Sequence, residues 1–216
     1  MSKLIRIDDW VSGVRCIPTD ISPMIEILEV FERNKIYYHL GVVPLTLSWP
    51  SFNFLQQSKY CVPVLHGFSH HYHEKSQICL KNNDPFNQFS VSGDFNEFEG
   101  DSDEEVYHKL FMGKRYLELI FKRPCWEYCP PNNIIDERTD KILTKVGFDT
   151  VLSENAPSWG SKLKYIKSDF YGHLHEIPDN LPKDAVVGLH ITWAYSRVLS
   201  HGIEEARKII EEKLKN

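Results

Sequence analysis

The chain has 216 residues, a length that supports one sizeable hydrophobic core or two small ones. A composition of 42% hydrophobic and 25% charged residues is ordinary for a folded globular protein, and a net charge of −5 with a pI near 6.1 argues against nucleic acid or an anionic membrane as partner. No run of about 18 apolar residues occurs, which argues against a membrane-spanning helix. MSKLIRIDDW lacks a long apolar stretch and reaches paired acids by residue 8, so the expectation is a cytoplasmic chain without a secretory leader. Cys16, Cys61, Cys79, Cys125 and Cys129 are odd in number and lack paired C-x-x-C spacing; they are expected to be reduced, and to act as small hydrophobes rather than ligands.

In chain order, KLIRID (3 to 8) reads as a strand that delivers Asp8 and Asp9 to its C-terminal end. Residues 23 to 34 place Met24, Ile27, Leu28 and Phe31 at helical spacing. HLGVVPLTL (39 to 47) reads as a second strand, Pro50 and Ser51 open a short helix to about Lys59, and CVPVLH (61 to 66) is a third strand. Residues 72 to 103 break the rhythm with an acidic, aperiodic stretch, read as an extended loop leading into a helix, with a substrate-covering loop as the alternative. A helix follows from about 102 to 121, then a strand and proline-stiffened turn in RPCWEYCPPNN (123 to 133). The helix IIDERTDKILTKV ends at Gly147, FDTVLS (148 to 153) is a strand, and two short strands are expected around 163 to 167 and 173 to 177. DAVVGLHITW (184 to 193) is the last strand and an amphipathic helix closes the sequence. No repeat, low-complexity tract or linker divides the chain, so a single α/β domain over residues 1 to 216 with parallel pairing is expected.

Asp8-Asp9, His66, His70, Asn132-Asn133 and His190 all fall at or just after predicted strand ends, the edge where side chains from distant strands converge in parallel α/β folds. His66-x-x-x-His70 can place two imidazoles on one metal if the segment turns helically, and one carboxylate completes a facial set with positions left open. A divalent ion there lowers the pKa of water and polarises a carbonyl. Two imidazoles and a carboxylate suit Zn²⁺, and Fe, Co, Ni or Mn are compatible. His71 and His73 are neighbours of the proposed ligands, and one of His173 and His175 faces the site if they alternate on a strand. Trp10 and Trp193 follow site motifs and are candidates for stacking on a sugar, with core packing an equal competitor.

I-D-D at 7 to 9, H-G-F-S-H at 66 to 70, C-P-P-N-N at 129 to 133 and G-L-H at 188 to 190 resemble, in order and rough spacing, the motifs of the NodB-homology polysaccharide deacetylases, carbohydrate esterase family 4. The likeness is to a divergent branch opening with R-x-D-D, and it extends from residue 5 to about 193. The resemblance implies a distorted (β/α) barrel with fewer than eight regular units and a single divalent metal. It implies Asp8 as general base, Asp9, His66 and His70 as metal ligands, and His190 as the acid that protonates a leaving amine. It also implies Pro131, Asn132 and Asn133 in the groove wall, and removal of an N-acetyl or other N-acyl group from an intracellular or carrier-linked sugar. Two other readings stay open: hydrolysis of a non-sugar C–N bond, and carbohydrate or partner binding without turnover. Two departures stand out. Cys129 occupies the position of the arginine that steadies the base in the family, with Arg6 and Arg123 as candidate substitutes, and the aspartate-tryptophan motif behind the acid histidine has no decisive match among Asp169, Trp159 and Trp193.

Overall fold

The computed structural model describes residues 3–10, 21–69, 96–190 and 202–215. His70, His71, His73, Trp193, Cys16, Cys79 and the greater part of the acidic loop lie outside the described residues. Eight strands form one sheet: β1 (Leu4–Trp10), β2 (Tyr38–Val42), β3 (Cys61–Leu65), β4 (Glu127–Tyr128), β5 (Thr150–Leu152), β6 (Lys164–Ile166), β7 (Phe170–Gly172) and β8 (Val186–His190). Their order is β6-β5-β4-β3-β2-β1-β8-β7, and every neighbouring pair is parallel.

That order dictates the curvature. β6 and β7 are the two edges of the sheet, yet only residues 167–169 separate them in sequence. Four peptide steps reach at most about 14 Å. In a flat sheet the two edges would stand about 34 Å apart at the usual strand spacing. The sheet therefore curls until its edges nearly meet, the distorted (β/α) barrel that the motifs imply.

Helices α1 (Ser22–Asn34), α2 (Trp49–Gln57), α3 (Asp103–Phe121) and α4 (Glu137–Val146) cross over between successive strands from β1 to β5, whereas the β5–β6, β6–β7 and β7–β8 connections carry no α-helix. Local sequence explains the helix ends. Ser102 and Glu105 form a reciprocal capping box on α3, Asp136 caps α4, and Gly147 ends α4 in the left-handed region. α5 (Ile203–Ile209) continues into a π-helical turn to Leu214. The outer core lies between sheet and helices, built on Ile5, Ile7, Leu28, Phe31, Leu40, Leu65, Leu110, Leu117, Tyr128 and Val187. Val64, Cys129 and Leu152 form a separate small cluster with Ile166 packed against it. Among the described residues no helix is long and apolar enough to cross a membrane.

Two expectations need correction. The second strand stops at Val42, because Pro44 cannot donate to a ladder and opens a 3₁₀ turn, Pro44–Thr46. The strand expected around 173 to 177 lies three residues earlier, and Leu174–Glu176 is a 3₁₀ turn. His173 and His175 therefore do not alternate on a strand; their rings stack on each other at 5.7 Å.

Candidate active site

Side chains two apart on a strand share a face, so Arg6 and Asp8 of β1 both point into the barrel. Arg6 is 1% exposed and grips Asp8 in a fork: Nε donates to Oδ1 at 2.7 Å and Nη2 to Oδ2 at 2.5 Å. The rest of the guanidinium is also committed, Nη1 to Glu154 Oε1 at 3.1 Å and Nη2 to Asn133 Oδ1 at 2.8 Å. Of the two arginines weighed as substitutes at Cys129, Arg6 is the one that contacts Asp8. Arg123, the other candidate, donates instead to the carbonyls of Ser58 and Lys59. Burial alone would raise the Asp8 pKa, but the Arg6 guanidinium more than offsets it and holds the carboxyl below its usual range.

Asp8 receives two further donors, the Cys129 thiol at 3.4 Å on Oδ1 and the Tyr171 hydroxyl at 3.1 Å on Oδ2. Four donors occupy the roughly four acceptor positions of a carboxylate. Burial pushes the Cys129 thiol up, so it remains protonated as a donor. The buried thiols of Cys61 and Cys125 are likewise raised by burial, that of Cys125 to about 12, as expected of inert cysteines.

Asp9 differs from its neighbour in every respect. Its backbone is left-handed at φ 59, which breaks the alternation of β1 where its register with β2 shifts, and the Asp9 carboxylate reaches His66 and His190. Asp9 Oδ1 lies 2.9 Å from His66 Nε2, and Oδ2 lies 3.5 Å from His190 Nε2. Asp8 and His190 are register partners across β1 and β8, so three ends of sequence-distant strands meet here.

The donor chemistry of Asp9 and His66 fits a divalent cation. His66 Nδ1 donates to the Cys129 carbonyl at 2.9 Å, which fixes the ring and aims Nε2 at Asp9. Burial disfavours the charged imidazole, yet the Asp9 carboxylate beside Nε2 helps to hold its pKa above the ordinary value. Two donors bound at about 2.1 Å to one ion stand about 2.9–3.4 Å apart, and the observed 2.9 Å falls in that range. Among the described residues no group of three His, Cys, Asp or Glu is arranged to hold a metal, and the third expected ligand, His70, lies outside them.

The loop carrying His66 is held by a residue that the motifs do not include. Glu97, buried, accepts from the amides of Phe68 (3.0 Å) and Ser69 (2.7 Å) and from the Ser69 hydroxyl (3.1 Å). Gly67 makes this possible. It has φ +67, and a Cβ there would stand 2.1 Å from Glu97 Oε2 and 2.8 Å from Pro131 Cγ. Glu97 is anchored in turn by the fully buried Phe98 and by Arg138, which donates to the carbonyls of Phe98 and Asp101.

Several expected groove residues have other surroundings. Trp10 is 1% exposed and packs near Phe54, which is the core alternative rather than a sugar platform. Pro131 is buried beside Gly67. Asn133 is an internal hub: Oδ1 accepts from Arg6 and from the amide of Glu154 (3.1 Å), and Nδ2 donates to the Tyr171 hydroxyl at 3.2 Å. Asn132 is exposed, and both asparagines adopt positive φ, 54 and 58, which asparagine tolerates better than most residues. Asp169 does not reach His190; its carboxylate accepts from the amide of Val186 at 2.8 Å. The group at His190 is Tyr171, whose hydroxyl lies 2.9 Å from Nε2. A period-two reading of R-x-D would have selected Arg6, and a strand placed at 170–172 would have found Tyr171. No sequence signal marks Glu97.

No family model and no curated protein matches the sequence. Solved structures do match. A family 4 carbohydrate esterase from Bacillus anthracis superposes with a TM-score of 0.54 at 13% identity, over 96% of this chain and 76% of that one. The family 4 carbohydrate esterase from Streptomyces lividans, in complex with acetate, gives 0.58 at 7% identity over 97% and 88%. A family 4 pseudoenzyme from Bacillus anthracis gives 0.53 at 11% identity over 94% and 61%. The motif resemblance thus coincides with the same fold: the chain has the fold of the family 4 carbohydrate esterases.

Proposed function

We propose that this chain is a metal-dependent hydrolase that removes an N-acetyl or related N-acyl group from a sugar or carrier-linked glycan precursor. The observation that carries the reading is the meeting of Asp8, Asp9, His66 and His190 at three strand ends, with Arg6 restoring the guanidinium support that Cys129 lacks. Asp9 and His66 would hold a divalent ion, with His70 as third ligand, Zn²⁺ being the first candidate. When bound, that ion supplies an acidified water and polarises the amide carbonyl. The chain's own residues supply the proton steps: Asp8 takes a proton and His190 gives one to the leaving amine. Asp8 can act so only when one donor yields, and the thiol of Cys129, the longest of the four contacts, is the one to yield. The acetate held by the Streptomyces lividans relative supports an acetyl group as the acyl class.

A second reading, ligand binding without turnover, is favoured by one observation: all four acceptor positions of Asp8 are filled. A pseudoenzyme among the matches adds weight to it. Acetate release from a panel of N-acetylated mono- and oligosaccharides separates the two. With Zn²⁺ supplied, the wild type is expected to release acetate, and Asp9→Ala to fall at least about 100-fold. Absence of release by the wild type across the panel, together with retained sugar binding, would replace the first reading with the second.

A further inference from the structure

The hydroxyl of Tyr171 stands between the two groups to which acid and base roles are given, and its hydrogen bonds can be assigned by counting. A phenol has one proton to donate and two lone pairs to accept with. Three partners are in reach: Asp8 Oδ2 at 3.1 Å, His190 Nε2 at 2.9 Å and Asn133 Nδ2 at 3.2 Å. The Asn133 amide orientation is fixed, because its other end accepts from Arg6 Nη2 and from the amide of Glu154; the end facing Tyr171 is therefore the NH₂ donor. Ionised Asp8 can only accept. The single phenolic proton goes to Asp8, both lone pairs accept, and His190 must present a proton on Nε2.

The fold places this tyrosine deliberately. Arg6, Gly188 and Tyr171 are register partners along one row across β1, β8 and β7. Gly188, between the other two, has no side chain, and a Cβ there would stand 2.4 Å from Tyr171 Cδ2. The gap lets the ring lie under Arg6, 5.1 Å from the guanidinium carbon to the ring centroid, and meet the His190 ring edge-on at 4.8 Å and 72°. Asp169 is committed to the Val186 amide. Among the described residues Tyr171 meets His190 edge-on, and its hydroxyl stands nearer Nε2 than Asp9 does.

We propose that Tyr171 is a positioning residue that aligns Asp8 with His190 and keeps a proton on His190 Nε2, the nitrogen from which the imidazolium would deliver it, so that the neutral ring is held as the Nε2–H tautomer. The roles of Asp8 and His190 rest on the proposed deacylase reading; the alignment itself does not. Asp9 Oδ2, 3.5 Å from the same nitrogen, lies at the edge of hydrogen bonding and is too far to hold the tautomer alone.

Long-range ¹⁵N–¹H correlations of the imidazoles in the metal-free full-length protein test this, with the His190 signal assigned by His190→Gln. The wild type is expected to show His190 as one Nε2–H tautomer, and Tyr171→Phe as an exchanging mixture. Gly188→Ala, which keeps the hydroxyl but displaces the ring, is expected to behave like Tyr171→Phe. In the deacylation assay Tyr171→Phe should lower kcat about 10- to 100-fold while KM changes by less than about twofold, as misplacement of catalytic groups does. Identical His190 signals in the wild type and Tyr171→Phe would overturn the proposal. If the wild type releases no acetate, the deacylase reading fails, and the tautomer comparison still decides the role of Tyr171.

Discussion

Replacing Arg6 with methionine is expected to lower the folding free energy by about 3–5 kcal/mol, the usual consequence of removing one partner from a buried ion pair. Asp8 would be left fully buried with only a thiol and a phenol as donors, Glu154 would lose the guanidinium, and Asn133 Oδ1 would keep only the Glu154 amide. The pH dependence follows from the direction of the Asp8 shift. In the wild type the carboxyl is depressed, so its contribution is present above the unfolded value of about 3.9 and is lost as pH falls through the lower folded value. In Arg6→Met the largest influence opposing burial is gone and the carboxyl rises, so the stability gap between the two proteins widens as pH rises from strong acid to neutrality. Urea titrations at several pH values measure it. Arg6→Lys should recover little, since an ammonium cannot span both Asp8 oxygens and Glu154 together. The double variant Arg6→Met with Asp8→Asn should regain much of the loss, because no charge is left buried alone. A loss below about 1 kcal/mol at neutral pH, or an equal loss in the double variant, would contradict the picture of Arg6 as the support of Asp8.

Glu97→Ala has the second large expected effect, and it is local. The variant removes the carboxylate acceptor of the part-buried amides of Phe68 and Ser69, each lost hydrogen bond to a charged group being worth about 1.5–3 kcal/mol. The turn that follows β3 would loosen, and His66 with it, so divalent-ion affinity should fall about 10- to 100-fold as it does when support behind a ligand is removed. Amide hydrogen exchange reports this directly. Protection at Phe68 and Ser69 should be lost while that of β3 and α3 persists. Unchanged protection at those two amides would show that Glu97 does not hold the loop.

Most of the architecture is legible in the sequence because apolar periodicity and turn residues agree with the fold. β1, β3, β8 and all the main helices lie close to where spacing puts them. The strand ends are legible too, which is why Asp8, Asp9, His66 and His190 could be named before their convergence was seen. What escaped has physical reasons. β7 is only three residues long and only partly buried, so it leaves no alternating pattern that would mark Tyr171. The family resemblance implies Asn133 in the groove wall, whereas its amide is turned inward by Arg6. Trp10 follows a site motif but ends a strand whose odd-face neighbours, Ile5 and Ile7, are core residues, and parity with Asp8 is broken by the left-handed Asp9. Glu97 lies in an acidic stretch where composition distinguishes no one carboxylate from another.

The left-handed backbone at Asp9 is the step that separates the two acids into different roles. It allows one carboxylate to be buried under Arg6 while its neighbour faces two imidazoles, and it is the observation on which a metal centre most depends. The direct measurement is a calorimetric titration of metal-stripped protein with Zn²⁺. The wild type is expected to bind one equivalent per chain, with binding abolished in Asp9→Ala and in His66→Ala while both variants stay folded. Absence of stoichiometric binding by the wild type, or equal binding by all three proteins, would contradict the account.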